Sequence, residues 1–196
     1  MNFLGHFYLS QHEPELIVGN FVADHVKGKK YLDYPAKISE GIMMHRYIDH
    51  YTDGHPLVRQ GRQRLFDKYR HFSGVIIDMY YDHFLASLWE QYSQYSLATF
   101  ANTIYNTIEA HLHILPERSK FLFPHMKSGN WLLRYATTEG LGQSLTGMSK
   151  RLHHHSKLEL ATEDLLEYYQ EFKEEFEQFI VDIREQFDRW QAPSKA

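Results

Sequence analysis

Two short strings hold most of the side chains in this sequence that could do chemistry: His45-Arg46-x-x-Asp49-x-x-x-Asp53 and Asp78-x-x-x-Asp82-His83. Each places metal-competent groups four residues apart. On an α-helix, positions i and i+4 stack on one face and can aim at a single point. Asn20-x-x-x-Asp24 repeats the spacing. Imidazole and carboxylate donors, with no thiolate, suit a divalent ion of the manganese, magnesium or iron type better than a structural zinc. Such an ion activates water or holds a phosphate. Taken singly, each pair reads more simply as a surface ion pair or a helix cap. Three of them beside apolar helical positions set a shared metal site against that plainer reading.

The elements that would position these groups all read as helices. Leu16, Ile17, Phe21, Val22 and Val26 recur at a helical period over 16–26, and Gly28-Lys29-Lys30 closes that segment with cations. Pro35 opens a second helix, whose apolar face is Ile38, Ile42, Met43 and Ile48, to about Tyr51. Thr52-Asp53-Gly54-His55-Pro56 reads as a turn, with Thr52 or Asp53 capping a basic amphipathic helix from Leu57 to about Tyr69. Ser73 caps a long, mostly buried helix over 74–89. Further helices are expected over 100–114, 126–135 and 141–148, then a long one over 162–190. The last carries an aromatic stripe that includes Phe172, Phe176, Phe179 and Phe187, and at 3- and 4-residue steps such a stripe belongs to a core rather than a cofactor box. An all-α, single-domain helical bundle over 1–196 is the expected fold.

Composition narrows the function classes. The chain has 196 residues, 14 Tyr, 13 Phe and no Cys. A core of that size needs no staple, and the absence of Cys excludes a disulfide framework, a thiol nucleophile and Cys-ligated zinc. It also fits a cytoplasmic location. The N-terminus lacks a signal peptide's basic region, and no apolar run reaches the roughly 18 residues of a membrane span. A formal net charge of −4 gives no reason to expect nucleic acid. The charge is uneven: 163–185 is acidic, whereas Arg59, Arg62, Arg64, Lys68 and Arg70 form a basic cluster. His153-His154-His155 has no carboxylate at matching spacing, and its rings point apart, so it is a weak metal candidate.

The order and spacing of several strings resemble the bacterial acyl carrier protein phosphodiesterases, or holo-acyl-carrier-protein hydrolases. They are Met1-Asn2-Phe3-Leu4-x-His6-x-x-Leu9, Gly19-Asn20-x-x-Ala23-Asp24-x-Val26-Lys27-Gly28, Gly41-Ile42-x-x-His45-Arg46-x-Ile48-Asp49-x-x-Thr52-Asp53 and Asp78-x-x-x-Asp82-His83-Phe84-Leu85. Weaker echoes are Trp131-Leu132-x-Arg134-Tyr135 and Gly147-Met148, and Gly5 departs mildly where Ala is expected. The resemblance spans essentially the whole length. It implies an all-helical fold distantly like the His-Asp metal phosphohydrolases, a preference for Mn²⁺, and removal of the 4′-phosphopantetheine arm from holo-acyl carrier protein in fatty acid and lipid metabolism.

On that reading the metal ligands come from Asp24, His45, Asp49, Asp82 and His83, and water keeps at least one position. His6 and Asn20 steady a ligand or touch the phosphate. Arg46 either clamps the phosphate or pairs with Asp49 or Asp53. Asp78 is a ligand, a general base, or the carboxylate that orients a His, and Asp24 joins it among the catalytic candidates. Asp53 belongs to the turn. An acidic carrier would be steered by the cluster Arg59, Arg62, Arg64, Lys68 and Arg70, extended by Lys27, Lys29 and Lys30; the same cations could instead balance the acidic C-terminal helix. Aromatics over 92–95 could form a dimer contact or a pantetheine groove, and the oligomeric state is open. Two rival readings stand beside this one: a phosphohydrolase acting on nucleotides or another small phosphodiester, and a non-catalytic helical binding module.

Overall fold

Gly19 and Gly41 let two helices touch backbone to backbone. The computed structural model describes residues 1–10, 12–152, 156–188 and 190. Its first three helices are α1 (Phe3–Leu9), α2 (Pro14–Val22) and α3 (Ala36–Gly54). A Cβ on Gly19 would stand 2.3 Å from the Ile38 carbonyl oxygen and 2.6 Å from the Gly41 Cα. One on Gly41 would stand 2.6 Å from the Leu16 carbonyl oxygen. Only hydrogen fits at either position, so α2 and α3 pack backbone against backbone there. The crossing brings Asn20, and Asp24 in the 3₁₀ turn Ala23–His25, beside the middle of α3, where His45 and Asp49 lie.

Among the described residues eight more α-helices follow: α4 (Pro56–Tyr69), α5 (Ser73–Ser87), α6 (Leu97–Ala110), α7 (Glu117–Ser128), α8 (Trp131–Arg134), α9 (Thr138–Arg151), α10 (Ala161–Glu167) and α11 (Tyr169–Asp188). No strand occurs among the described residues, and the expected all-α class holds. The aromatic stripe of α11 is core, with Phe172, Phe176 and Phe179 fully buried. These rings meet Tyr80, Tyr81 and Phe84 of α5 edge-on, tilted or stacked. Each such side chain contributes about 1.5–3 kcal/mol by leaving water. No described helix is long and apolar enough to cross a membrane.

Several boundaries differ from expectation, each for a tertiary reason. Thr52, Asp53 and Gly54 form the last turn of α3 rather than a loop, and neither Thr52 nor Asp53 caps α4. Only His55 separates the two helices; Pro56 then opens α4 with its φ already fixed. The expected helix over 162–190 breaks at Tyr168 (φ −115°, ψ 32°). There Lys68 and Tyr69 both donate to the Asp164 carboxylate, and the Tyr80 hydroxyl donates to the Ala161 carbonyl, which pins α10 onto α4 and α5. The helix α7 carries Pro124 inside it, a residue that argues against a helix in sequence alone. The triplet 153–155 lies outside the described residues.

Candidate metal centre

Four polar side chains converge at the floor of a cavity of about 370 Å³. His6 comes from α1, Asp24 from the turn after α2, and His45 and Asp49 from successive turns of α3. His6 Nε2 lies 3.2 Å from Asp49 Oδ1, and His45 Nε2 lies 3.2 Å from Asp49 Oδ2. His45 Nε2 is also 3.3 Å from Asp24 Oδ1. The two imidazoles stack with centroids 4.0 Å apart. Ligand atoms of His6, His45 and Asp49 all fall within 4.8 Å of one another.

Counting protons shows what this cluster suits. Asn20 donates its amide N–H groups to Ser10 Oγ (2.8 Å) and the Leu16 carbonyl (3.3 Å), which leaves its Oδ1 as an acceptor. That oxygen lies 3.2 Å from His6 Nδ1, so His6 places its proton there. Its Nε2 lone pair then faces the Asp49 carboxylate and the Met1 carbonyl oxygen, 3.1 Å away. Burial, reinforced by His45, pushes His6 down to about 4, so a second proton does not relieve the repulsion at neutral pH. A divalent cation would relieve it, and two imidazole nitrogens with carboxylate oxygens are ligands such a cation accepts. The Asn20 contact is the kind that fixes the tautomer of a ligating His.

Charge around His45 works the other way. Burial lowers it, but hydrogen bonds and charge from Asp24 and Asp49 more than reverse this and raise it to about 9. Burial raises Asp49, yet hydrogen bonding, that of His45 foremost, and charge hold that carboxyl well below the usual range. Asp24 is lowered by its bond to His45 and keeps a side chain 65% exposed toward the cavity mouth. Asp78 also lines the cavity, with Oδ1 accepting from the Met1 amino group at 2.9 Å.

Asp82 and His83, expected among the ligands, are not part of this cluster. The Asp82 carboxylate accepts backbone N–H groups of Asn2 (3.1 Å), Leu4 (2.7 Å) and Gly5 (3.1 Å), and is completely buried. It caps α1 from α5, and so sets where His6 stands. Burial pushes it up to about 7 against the pull of those donors. His83 donates through Nδ1 to the Tyr135 carbonyl at 2.7 Å, and its Nε2 faces the Tyr169 hydroxyl at 3.4 Å. Arg46 lines no part of the cavity and pairs with neither Asp49 nor Asp53. Its Nη2 donates to the Val26 carbonyl at 2.7 Å, and its guanidinium sits over the Tyr31 ring, which steadies the segment behind Asp24.

The basic cluster is mostly spent inside the molecule. Arg64 forms a two-pronged bridge to Glu175 (3.1 and 2.7 Å), Lys68 pairs with Asp164 (2.6 Å) and Arg62 with Asp53. Arg70 lies 3.9 Å from Asp67. Of the five, Arg59 alone has no ion pair among the described residues. Lys27, Lys29 and Lys30 are exposed and likewise unpaired there. Thr52, read from sequence only as a cap, and Val75 and Met148, given no site role there, also line the cavity. Thr52 and Met148 had left a signal, in the string ending Thr52-Asp53 and in the weak Gly147-Met148 echo; Val75 had left none.

Fold and site together define an all-helical protein with an imidazole–carboxylate cluster suited to a divalent cation. The family model described as acyl carrier protein phosphodiesterase matches residues 1–183, and the chain belongs to that family. Relatives carrying the same name include one from Photorhabdus laumondii subsp. laumondii, 36% identical over 91% of each chain. Another, from Yersinia pestis, is 38% identical over 77% of this chain and 79% of its own. A third, from Serratia proteamaculans, is 32% identical over 95% of this chain and 97% of its own. No solved structure matches the chain.

Proposed function

We propose that the protein hydrolyses the phosphodiester joining 4′-phosphopantetheine to a serine of holo-acyl carrier protein, with a divalent cation, Mn²⁺ first among them, held by His6, His45 and Asp49. The observation that carries this reading is the His6 Nε2 lone pair facing the Asp49 carboxylate, an arrangement that a cation stabilises. Held there, a cation would lower the pKa of water and neutralise phosphoryl charge. Asn20 keeps His6 in the ligating tautomer, and Asp82 holds the helix that delivers it. Asp24 keeps one oxygen on His45 and its side chain open to the cavity, where it can take a proton from attacking water. As the phosphorus–oxygen bond to serine breaks, that proton returns to the departing serine oxygen. The products are apo-carrier and free 4′-phosphopantetheine.

An acidic carrier meets unpaired cations at Lys27, Lys29, Lys30 and Arg59, rather than at the cluster centred on Arg64. Intact-mass measurement of holo-carrier, incubated with the protein and Mn²⁺, tests the reaction. Conversion to apo-carrier with nucleotides left untouched supports it; cleavage of nucleotides alone favours the small-phosphodiester alternative.

A further inference from the structure

A second cavity, of about 360 Å³, opens beside the metal centre and shares Asn2, Phe3 and Met148 with it. Its walls are the residues of the two weakest family echoes: Trp131, Arg134 and Tyr135 from α8 and its end, Gly147 and Met148 from α9. The metal cluster uses none of them, and only Met148 also lines its cavity. Met79 and Leu122 complete an apolar side. Gln143, Ser144 and Asn2 supply amide and hydroxyl groups, and Arg134 and Arg151 supply two guanidiniums without an ion pair among the described residues. Arg151 is held over the Trp131 ring, 5.7 Å from its centroid.

We propose that this cavity binds the pantetheine arm of the carrier while its phosphodiester occupies the metal centre, an assignment that rests on the function given above. Two observations select that occupant. The cavity adjoins the site of the scissile bond and shares three wall residues with it, so a group attached to the phosphate on that side lies next to it. Its lining also matches the arm: an apolar wall for the dimethyl and methylene groups, and hydrogen-bonding side chains for two amides. Neither guanidinium requires a second anion, because amide carbonyls accept from them. The aromatics over 92–95 line neither cavity, and Tyr95 projects into solvent.

Gly147 provides the test. Gly147 lines the cavity and a Cβ built there meets nothing within 4 Å, so a side chain introduced at this position starts in open space. Calorimetric titration of phosphate-free pantetheine into the full chain, without added metal, reports binding apart from turnover. Saturable binding is expected for the wild type and should weaken at least about tenfold in Gly147→Phe, since filled space excludes the ligand. Ser144→Leu, on the same wall, should act alike if Gly147→Phe does not fold. Asp49→Asn should keep pantetheine affinity, because it alters only the metal centre. The proposal is overturned if the wild type shows no saturable binding, if folded Gly147→Phe and Ser144→Leu both bind like the wild type, or if Asp49→Asn abolishes binding. Pantetheine bound by the wild type, with holo-carrier left intact in the presence of Mn²⁺, would overturn the phosphodiesterase reading and leave the pocket standing.

Discussion

Gly19→Ala is the substitution that couples helix packing to the metal centre most directly. The new Cβ would stand 2.3 Å from the Ile38 carbonyl oxygen and 2.6 Å from the Gly41 Cα, whereas ordinary contact begins at 3.4 Å. Both obstacles are backbone, so no rotamer change relieves them, and α2 and α3 must part by about 1 Å. Overpacking of this kind costs about 1–3 kcal/mol, against about 1 kcal/mol gained from alanine's better helix propensity. For a chain of this length, a net loss of up to about 2 kcal/mol lowers Tm by up to about 8 °C. The same displacement moves Asn20 from His6 and carries Asp24 Oδ1, now 3.3 Å from His45 Nε2, beyond hydrogen-bonding distance. Mn²⁺ affinity should then fall about 10–100-fold, as when supporting contacts of metal ligands are lost. Thermal unfolding with and without Mn²⁺ reads both effects. Gly54→Ala is the control, because a Cβ there meets nothing within 4 Å. A Gly19→Ala protein with wild-type Tm and Mn²⁺ affinity would refute the crossing as the device that builds the site.

Asp82→Ala leaves three N–H groups without an acceptor, two of them buried, and should cost about 3 kcal/mol or more, lowering Tm by at least about 6 °C; loss of Mn²⁺ binding at unchanged metal-free Tm would instead make Asp82 a ligand. Asp24 and Asp49 raise His45 from 6.5 to about 9 against the opposing effect of burial. That pairing contributes stability fully below pH 6.5 and loses it as pH rises through about 9, so metal-free Tm should decline across this window more steeply than in His45→Gln. Equal slopes would show that His45 is not held as a cation. Charge reversal at Lys27, Lys29 and Lys30 together should raise KM for holo-carrier at least about tenfold at low salt, with little change in kcat. Arg64→Ala should lower Tm and spare KM; the opposite pattern would return carrier steering to the α4 cluster.

The helical class was legible because apolar residues recur at 3- and 4-residue steps from Leu16 to Phe187, and such periodicity needs no tertiary information. His45 and Asp49 were legible for a related reason: one helix carries both, so spacing alone puts them on one face. Asp82 and His83 show where this stops. Asp82 stands at i+4 from Asp78 with His83 next to it, but spacing cannot say which partner a helix face meets. For Asp82 the partner is the N-terminus of α1, whose orphan donors consume both carboxylate oxygens. The basic helix is a similar case. Its charges were visible, but their neutralisation by Glu175 and Asp164, more than ninety residues away, was not. The break at Tyr168 likewise arises from side chains of α4 and α5 rather than from any local breaker.

Titration of Mn²⁺ into metal-free protein, following the free-ion signal by electron paramagnetic resonance while apo-carrier formation is measured in the same samples, tests the metal centre most directly. Saturable binding, with turnover rising in step and both lost in Asp49→Ala and His6→Ala, is the expected result. Turnover before any ion is bound, or Mn²⁺ binding undiminished in both variants, would contradict a cation held by His6, His45 and Asp49.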